Sequence, residues 1–130
     1  MDAPSIFPLP RRSALLILRL VVAAIFVSHS LARMYQGTVD DFGLFLDSKG
    51  FQVGFYLAWG ITLFELIGGL LLGAGLFCAP LSIVFSIQLI FGIVLVHGQN
   101  GWFVVGSGTN GVEYSVLLIF ALLTVGSKAP

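Results

Sequence analysis

The amino-acid sequence predicts an all-α integral membrane protein: a four-helix bundle with a short interfacial helix between its first two spans. Three observations lead there. First, the 130 residues are 58% hydrophobic and only 9% charged, with a mean hydropathy of +1.05, where an ordinary soluble domain is about 25% charged. So few charges cannot cover a globule's surface in water, which excludes a soluble enzyme. Second, four apolar stretches at about 13–34, 53–74, 80–96 and 110–126 follow one another, and about 20 helical residues cross a hydrocarbon core. Third, six basic and six acidic residues cancel, which removes the basic field that nucleic-acid binding needs. The whole chain, 1–130, reads as a single membrane domain.

The first span carries Arg11 and Arg12 just ahead of it. They read as a positive-inside anchor rather than as part of a cleaved signal, because Arg19 interrupts the apolar run. Asp40, Asp41 and Asp47 face a single lysine, Lys49, in the first connection, and Lys128 follows the last span. That distribution places both termini in the cytoplasm. Within the connection, Phe42, Phe45 and Leu46 recur at i, i+3 and i+4; Thr38 or Asp40 can start a helix there and Gly50 can end it. The segment is expected to lie along the outer interface with its aromatic face down.

The second span is rich in glycine, including Gly69 and Gly73 four apart. Such spacing permits close helix approach inside the bundle or between protomers. The second and third spans are joined by almost nothing and are expected to form a tight antiparallel pair. Pro80 suits the first turn of the third helix. The last connection holds five glycines and the headgroup-level anchors Trp102 and Phe103. Cys78 is the only cysteine, so intramolecular disulfides, CxxC redox chemistry and a thiolate zinc cluster are excluded.

Charges within a span cost roughly 2.5–3.5 kcal/mol each on insertion scales, so each needs a reason. Counting inward from the cytoplasmic ends, Arg19, Glu65 and Gln88 reach similar depth. They are expected to form a buried polar layer, an Arg19–Glu65 ion pair completed by Gln88, which serves either to lock the bundle or as a proton or ligand site. A second group, His29, Arg33, His97 and Glu113, gathers at the outer end. His29 and Arg33 share a helix face, and Glu113 suits a first helical turn. Together under the two loops they form a candidate ligand-binding mouth. His29 and His97 come from different helices, as a bis-histidine haem b would require, but His97 sits at a loop edge, poorly placed for axial ligation. No metal site is expected, and no phosphate-binding loop, dinucleotide fingerprint or nucleophile elbow is present.

The sequence resembles the DoxX family of small four-helix bacterial membrane proteins. Leu18-Arg19-Leu20 followed by His29 and Arg33 is similar to the family's first-helix pattern of an early Arg and then HG-x-x-K, with Ser30 and Arg33 in place of Gly and Lys. Phe42 to Gly50-Phe51 resembles its amphipathic connector. Glu65, Gly68, Gly69, Leu72 and Gly75 resemble E-x-x-G-G-x-x-L-x-x-G, and His97, Phe103 and Asn110-Gly111-Val112-Glu113-Tyr114 resemble H…F…N-G-x-E-Y. The resemblance implies a protein of the bacterial cytoplasmic membrane connected with redox: a membrane subunit of a quinone-linked, sulfur- or thiol-type oxidoreductase. On that reading quinone is the candidate cofactor. The partners are the bilayer and other redox subunits or a second copy. No redox-active group stands in the chain itself, so a non-catalytic accessory subunit is the alternative. A small proton-coupled transporter is the third.

Overall fold

The structure, a computed structural model, describes residues 6, 8–106 and 108–127. In hydrocarbon no backbone amide or carbonyl can stay unpaired, so an apolar chain must close its hydrogen bonds within helices or a barrel. This chain does so in helices: α1 Arg11–Tyr35, α2 Val39–Ser48, α3 Gly54–Gly73, α4 Cys78–Leu95 and α5 Glu113–Gly126, with a 3-10 turn at His97–Asn100. Helices α1, α3 and α4 are long and apolar enough to cross a membrane, rising roughly 37, 30 and 27 Å. The fold is a helical membrane bundle. Helix α5 has 14 residues, a rise of roughly 21 Å, and is shorter than the fourth span expected from Asn110. Its start is delayed because the amides of Gly111, Val112 and Glu113 donate to the carbonyls of Phe103, Gly101 and Trp102 instead of entering a helix. Lys128, used above to orient the chain, lies outside the described residues.

The helices form an open ring. Helix α1 packs along α3 and touches α5, α4 packs along α5, and α2 lies across α3. The pairing expected of α3 and α4 is not found. The turn at 74–77 joins their ends, but the two helices meet much less extensively than α1 with α3 or α4 with α5. Aromatic bulk accounts for this: Phe26 stacks on Phe85 at 4.0 Å, and Phe64 lies 4.9 Å from the same ring, holding the helices apart.

Glycine sets the α1–α3 register. A Cβ on Gly69 would lie 2.8 Å from Val27 Cγ2, and one on Gly73 would lie 3.2 Å from the Ala23 Cβ. The Gly69/Gly73 step therefore works inside the bundle, against α1. This register slides the two helices past one another, so that Ala23, midway along α1, sits opposite the end of α3. Helix α1 overhangs at the end holding the α3–α4 turn. Helix α3 overhangs at the opposite end, the loop end, where α2 covers it. There the backbones cross at Gly43 and Gly54, with a Cβ on Gly43 only 3.1 Å from the Gly54 carbonyl oxygen. Asp47 Oδ1 accepts the Gly54 amide at 2.9 Å, satisfying one of the orphan donors that open α3.

Two glycines in α3 should respond with opposite sign. Gly69→Leu is expected to lower unfolding free energy in detergent by about 1–3 kcal/mol through overpacking. Gly60→Ala, where nothing lies within 4 Å of the new Cβ, is expected to raise it by about 0.5–1 kcal/mol. Thermal or denaturant unfolding of both variants measures the pair.

Candidate functional site

Along α1 the buried residues Val22, Phe26 and Ser30 recur every four positions, and Arg33 continues that stripe by three. On α3 the buried stripe runs Ala58, Thr62, Glu65, Gly69 and Leu72. The α1–α3 register brings the two polar stretches together. Arg33 Nη1 donates to Thr62 Oγ1 at 2.9 Å, and Arg33 Nη2 reaches Glu65 Oε2 at 3.3 Å. From α4, Gln88 Nε2 donates to Glu65 Oε1 at 2.6 Å. The Glu65 side chain is 5% exposed and that of Arg33 19%. Above this cluster the guanidinium of Arg33 sits 5.1 Å from the Phe42 ring centroid, in the range of a cation–π contact. One arginine thereby ties α1 to both α2 and α3.

The expected Arg19–Glu65 pair does not form. Glu65 takes Arg33 instead, and Arg19 lies at the opposite end of the bundle against Gly75. Arg19 and Glu65 match in depth only if the helix ends are flush, whereas α1 and α3 are offset. Gln88 does join Glu65, as expected. Thr62 was not singled out from the sequence. Its signal was there: it precedes Glu65 by three, on the same helix face.

The cluster forms part of the wall of a cavity of about 750 Å³. The remaining walls are largely apolar: Ile25 and Phe26 from α1, Ile61 and Phe64 from α3, Leu89 and Leu95 from α4, and Leu118 from α5, with Phe42, Phe45 and Leu46 of α2 as a roof. Exposed residues of both α3 and α4, among them Tyr56, Gly60, Val84, Ile87 and Phe91, also line it. The cavity therefore opens sideways through the gap between these helices, toward lipid.

His29, Arg33 and His97 line the same cavity. His97 Nδ1 lies 2.9 Å from the Asn110 carbonyl oxygen. A carbonyl can only accept, so Nδ1 carries the hydrogen and Nε2 of the neutral ring keeps its lone pair. Glu113 is used differently: its Oε1 accepts the Val104 amide at 2.8 Å, fastening the loop before α5, and it is not part of the cavity wall. The two groups expected at separate depths are thus redistributed. Arg33 moves to the buried layer, His29 and His97 share its cavity, and Arg19 and Glu113 stand apart from it.

The model of the DoxX family matches residues 14–98. That segment contains Arg33, Thr62, Glu65, Gln88 and both histidines, and stops short of Glu113. No curated protein and no solved structure matches the chain.

Because Glu65 is buried and held by Arg33, Arg33→Leu should cost about 3–5 kcal/mol by stranding a carboxylate. Adding Glu65→Leu should recover much of that loss, and a double-mutant cycle by unfolding in detergent reads the coupling. Arg19→Leu, by contrast, is expected to show no coupling to Glu65→Leu.

Proposed function

The chain belongs to the DoxX family, and from that membership and the cavity we propose that it is a quinone-binding membrane subunit of an oxidoreductase, acting with a partner redox subunit in the bacterial cytoplasmic membrane. The observation that carries this reading is the combination in one cavity: apolar and aromatic walls, a lateral opening between α3 and α4, and a single polar cluster of Arg33, Glu65 and Gln88. Ligand sites generally combine apolar walls with a few convergent polar groups, in volumes of about 300–1,000 Å³. A quinone, when bound, supplies two-electron, two-proton carrier chemistry.

The residues fit such a ligand in three ways. The α3–α4 gap admits an isoprenoid tail without passage through water. The Arg33 guanidinium and Gln88 amide are donors held in place by Glu65, able to polarise a carbonyl oxygen presented to them. His97, fixed by the Asn110 carbonyl, offers Nε2 as a hydrogen-bond acceptor, and His29 stands on the same lining as a second imidazole. Arg11 and Arg12 at one end, and Asp40, Asp41 and Asp47 at the other, favour cytoplasmic termini with the roof of α2 on the outer side. One observation favours the accessory-subunit alternative: Glu65 already has its partners within the bundle, so the cluster can serve to hold helices together.

Equilibrium binding of decyl-ubiquinone to the protein in mild detergent tests the proposal. Gln88→Leu and Arg33→Lys are each expected to weaken it by roughly tenfold, the loss of one hydrogen bond involving a charged or polarised group. Glu113→Gln should leave it unchanged. Undiminished binding in both Gln88→Leu and Arg33→Lys, or no binding to the wild type, sets the quinone reading aside in favour of the accessory one.

A further inference from the structure

Arg19 is left over by everything described so far. It stands eight residues into α1, two turns past the exposed Arg12 and on the same face. Every acidic residue among the described ones lies elsewhere: Asp40, Asp41 and Asp47 in α2, Glu65 in the cavity wall, and Glu113 at the start of α5. Among the described residues, Arg19 Nε is buried with no hydrogen-bond partner. A guanidinium inside a membrane span without a counter-charge is costly, and arginines there pair with something.

The nearest backbone does not supply that partner. Helix α3 ends in a double turn in which Gly75 donates to the Leu72 carbonyl at 3.0 Å and Leu76 donates to the Leu71 carbonyl at 2.9 Å. That is the pattern in which a left-handed glycine satisfies the last helical carbonyls, so Arg19 is not needed as a cap. Gly75 has φ +82, and a Cβ built on it would lie 3.2 Å from Arg19 Cζ, Nη1 and Nη2 alike. Equal distances to all three atoms mean that the guanidinium lies face-on against the glycine. Only a glycine permits this seat, and it holds the donors of Arg19 in a fixed plane. Around them the surface is apolar and open: Leu15, Leu16 and Leu20 on α1, Leu76 and Phe77 on the turn, all exposed.

We propose that this notch binds an anionic phospholipid, with Arg19 as the donor to its phosphate, Arg12 adding charge beneath it, and the exposed leucines and Phe77 flanking the acyl chains. A planar guanidinium matches phosphate oxygens in a two-point fork. The α3 carboxyl-terminal end alongside places the negative end of its dipole near Arg19. The long side chain can reach toward headgroup level while its stem stays in hydrocarbon. This site is separate from the cavity, and it stands or falls independently of quinone binding.

The test is native mass spectrometry of the full chain in neutral detergent, titrated with phosphatidylglycerol, phosphatidylcholine or inorganic phosphate. The wild type should bind phosphatidylglycerol in preference to phosphatidylcholine, and inorganic phosphate should not compete. Arg19→Gln should weaken phosphatidylglycerol binding by about tenfold or more, while Gln88→Leu, in the cavity, should not. Leu15→Glu is a second variant. It places a carboxylate four residues before Arg19, a spacing that forms ion pairs on a helix, and should displace the lipid while leaving Arg19 in place. Phosphatidylglycerol binding undiminished in either Arg19→Gln or Leu15→Glu overturns the proposal. Equal binding of inorganic phosphate overturns the assignment to lipid.

Discussion

The structure turns on one constraint: a carboxylate buried in an apolar bundle must be met by a cation and by donors for its remaining lone pairs. Glu65 is met by Arg33 from α1 and Gln88 from α4, and Arg33 in turn holds Thr62 and faces Phe42 of α2. Four helices therefore share a single polar junction. It sits in the register that Gly69 and Gly73 allow, where an added Cβ would lie 2.8 Å from Val27 Cγ2 and 3.2 Å from the Ala23 Cβ. Close packing and electrostatics reinforce each other here. The glycines bring the backbones together, and the ion pair specifies which turn of α1 meets which turn of α3.

A buried ion pair is seldom a net gain over well-packed apolar residues of the same volume. The bundle nonetheless keeps one, and keeps it where the helices fail to close. The aromatic stack of Phe26, Phe64 and Phe85 holds α3 and α4 apart, and on its loop side lies the space that the polar junction borders. The arrangement combines an apolar volume, a fixed set of donors, and an opening between α3 and α4.

Composition and run lengths made the membrane bundle legible, because hydrocarbon tolerates so few alternatives, and the spacing of Phe42, Phe45 and Leu46 did the same for the short roof helix. The polar residues were legible as a set but not as pairs. Arg19 and Glu65 match in depth if the helices begin level, and nothing in a hydropathy pattern reveals that α1 and α3 are offset. The offset is written in side-chain volume, in which glycine faces which valine, and that is a property of two helices together. Likewise Asn110 and Gly111 read as the opening of a helix, whereas the left-handed Asn110 (φ 57) and the amides after it are committed to the preceding loop. Non-local hydrogen bonds of that kind leave no periodic trace in the sequence.

Helix α5 rises roughly 9 Å less than a hydrocarbon core of about 30 Å. If its far end is level with the other helices, where Gly126 closes on Ser82 of α4, its near end stops below the membrane surface. The irregular segments 101–104 and 111–112 then lie below that surface. Irregular backbone survives at such depth only when its polar groups are met within the protein. The three hydrogen bonds donated by the amides of 111–113 to the carbonyls of 101–103, with Glu113 accepting from the Val104 amide, meet that demand. The carboxylate that begins α5 thus stands in for the water the loop has left behind.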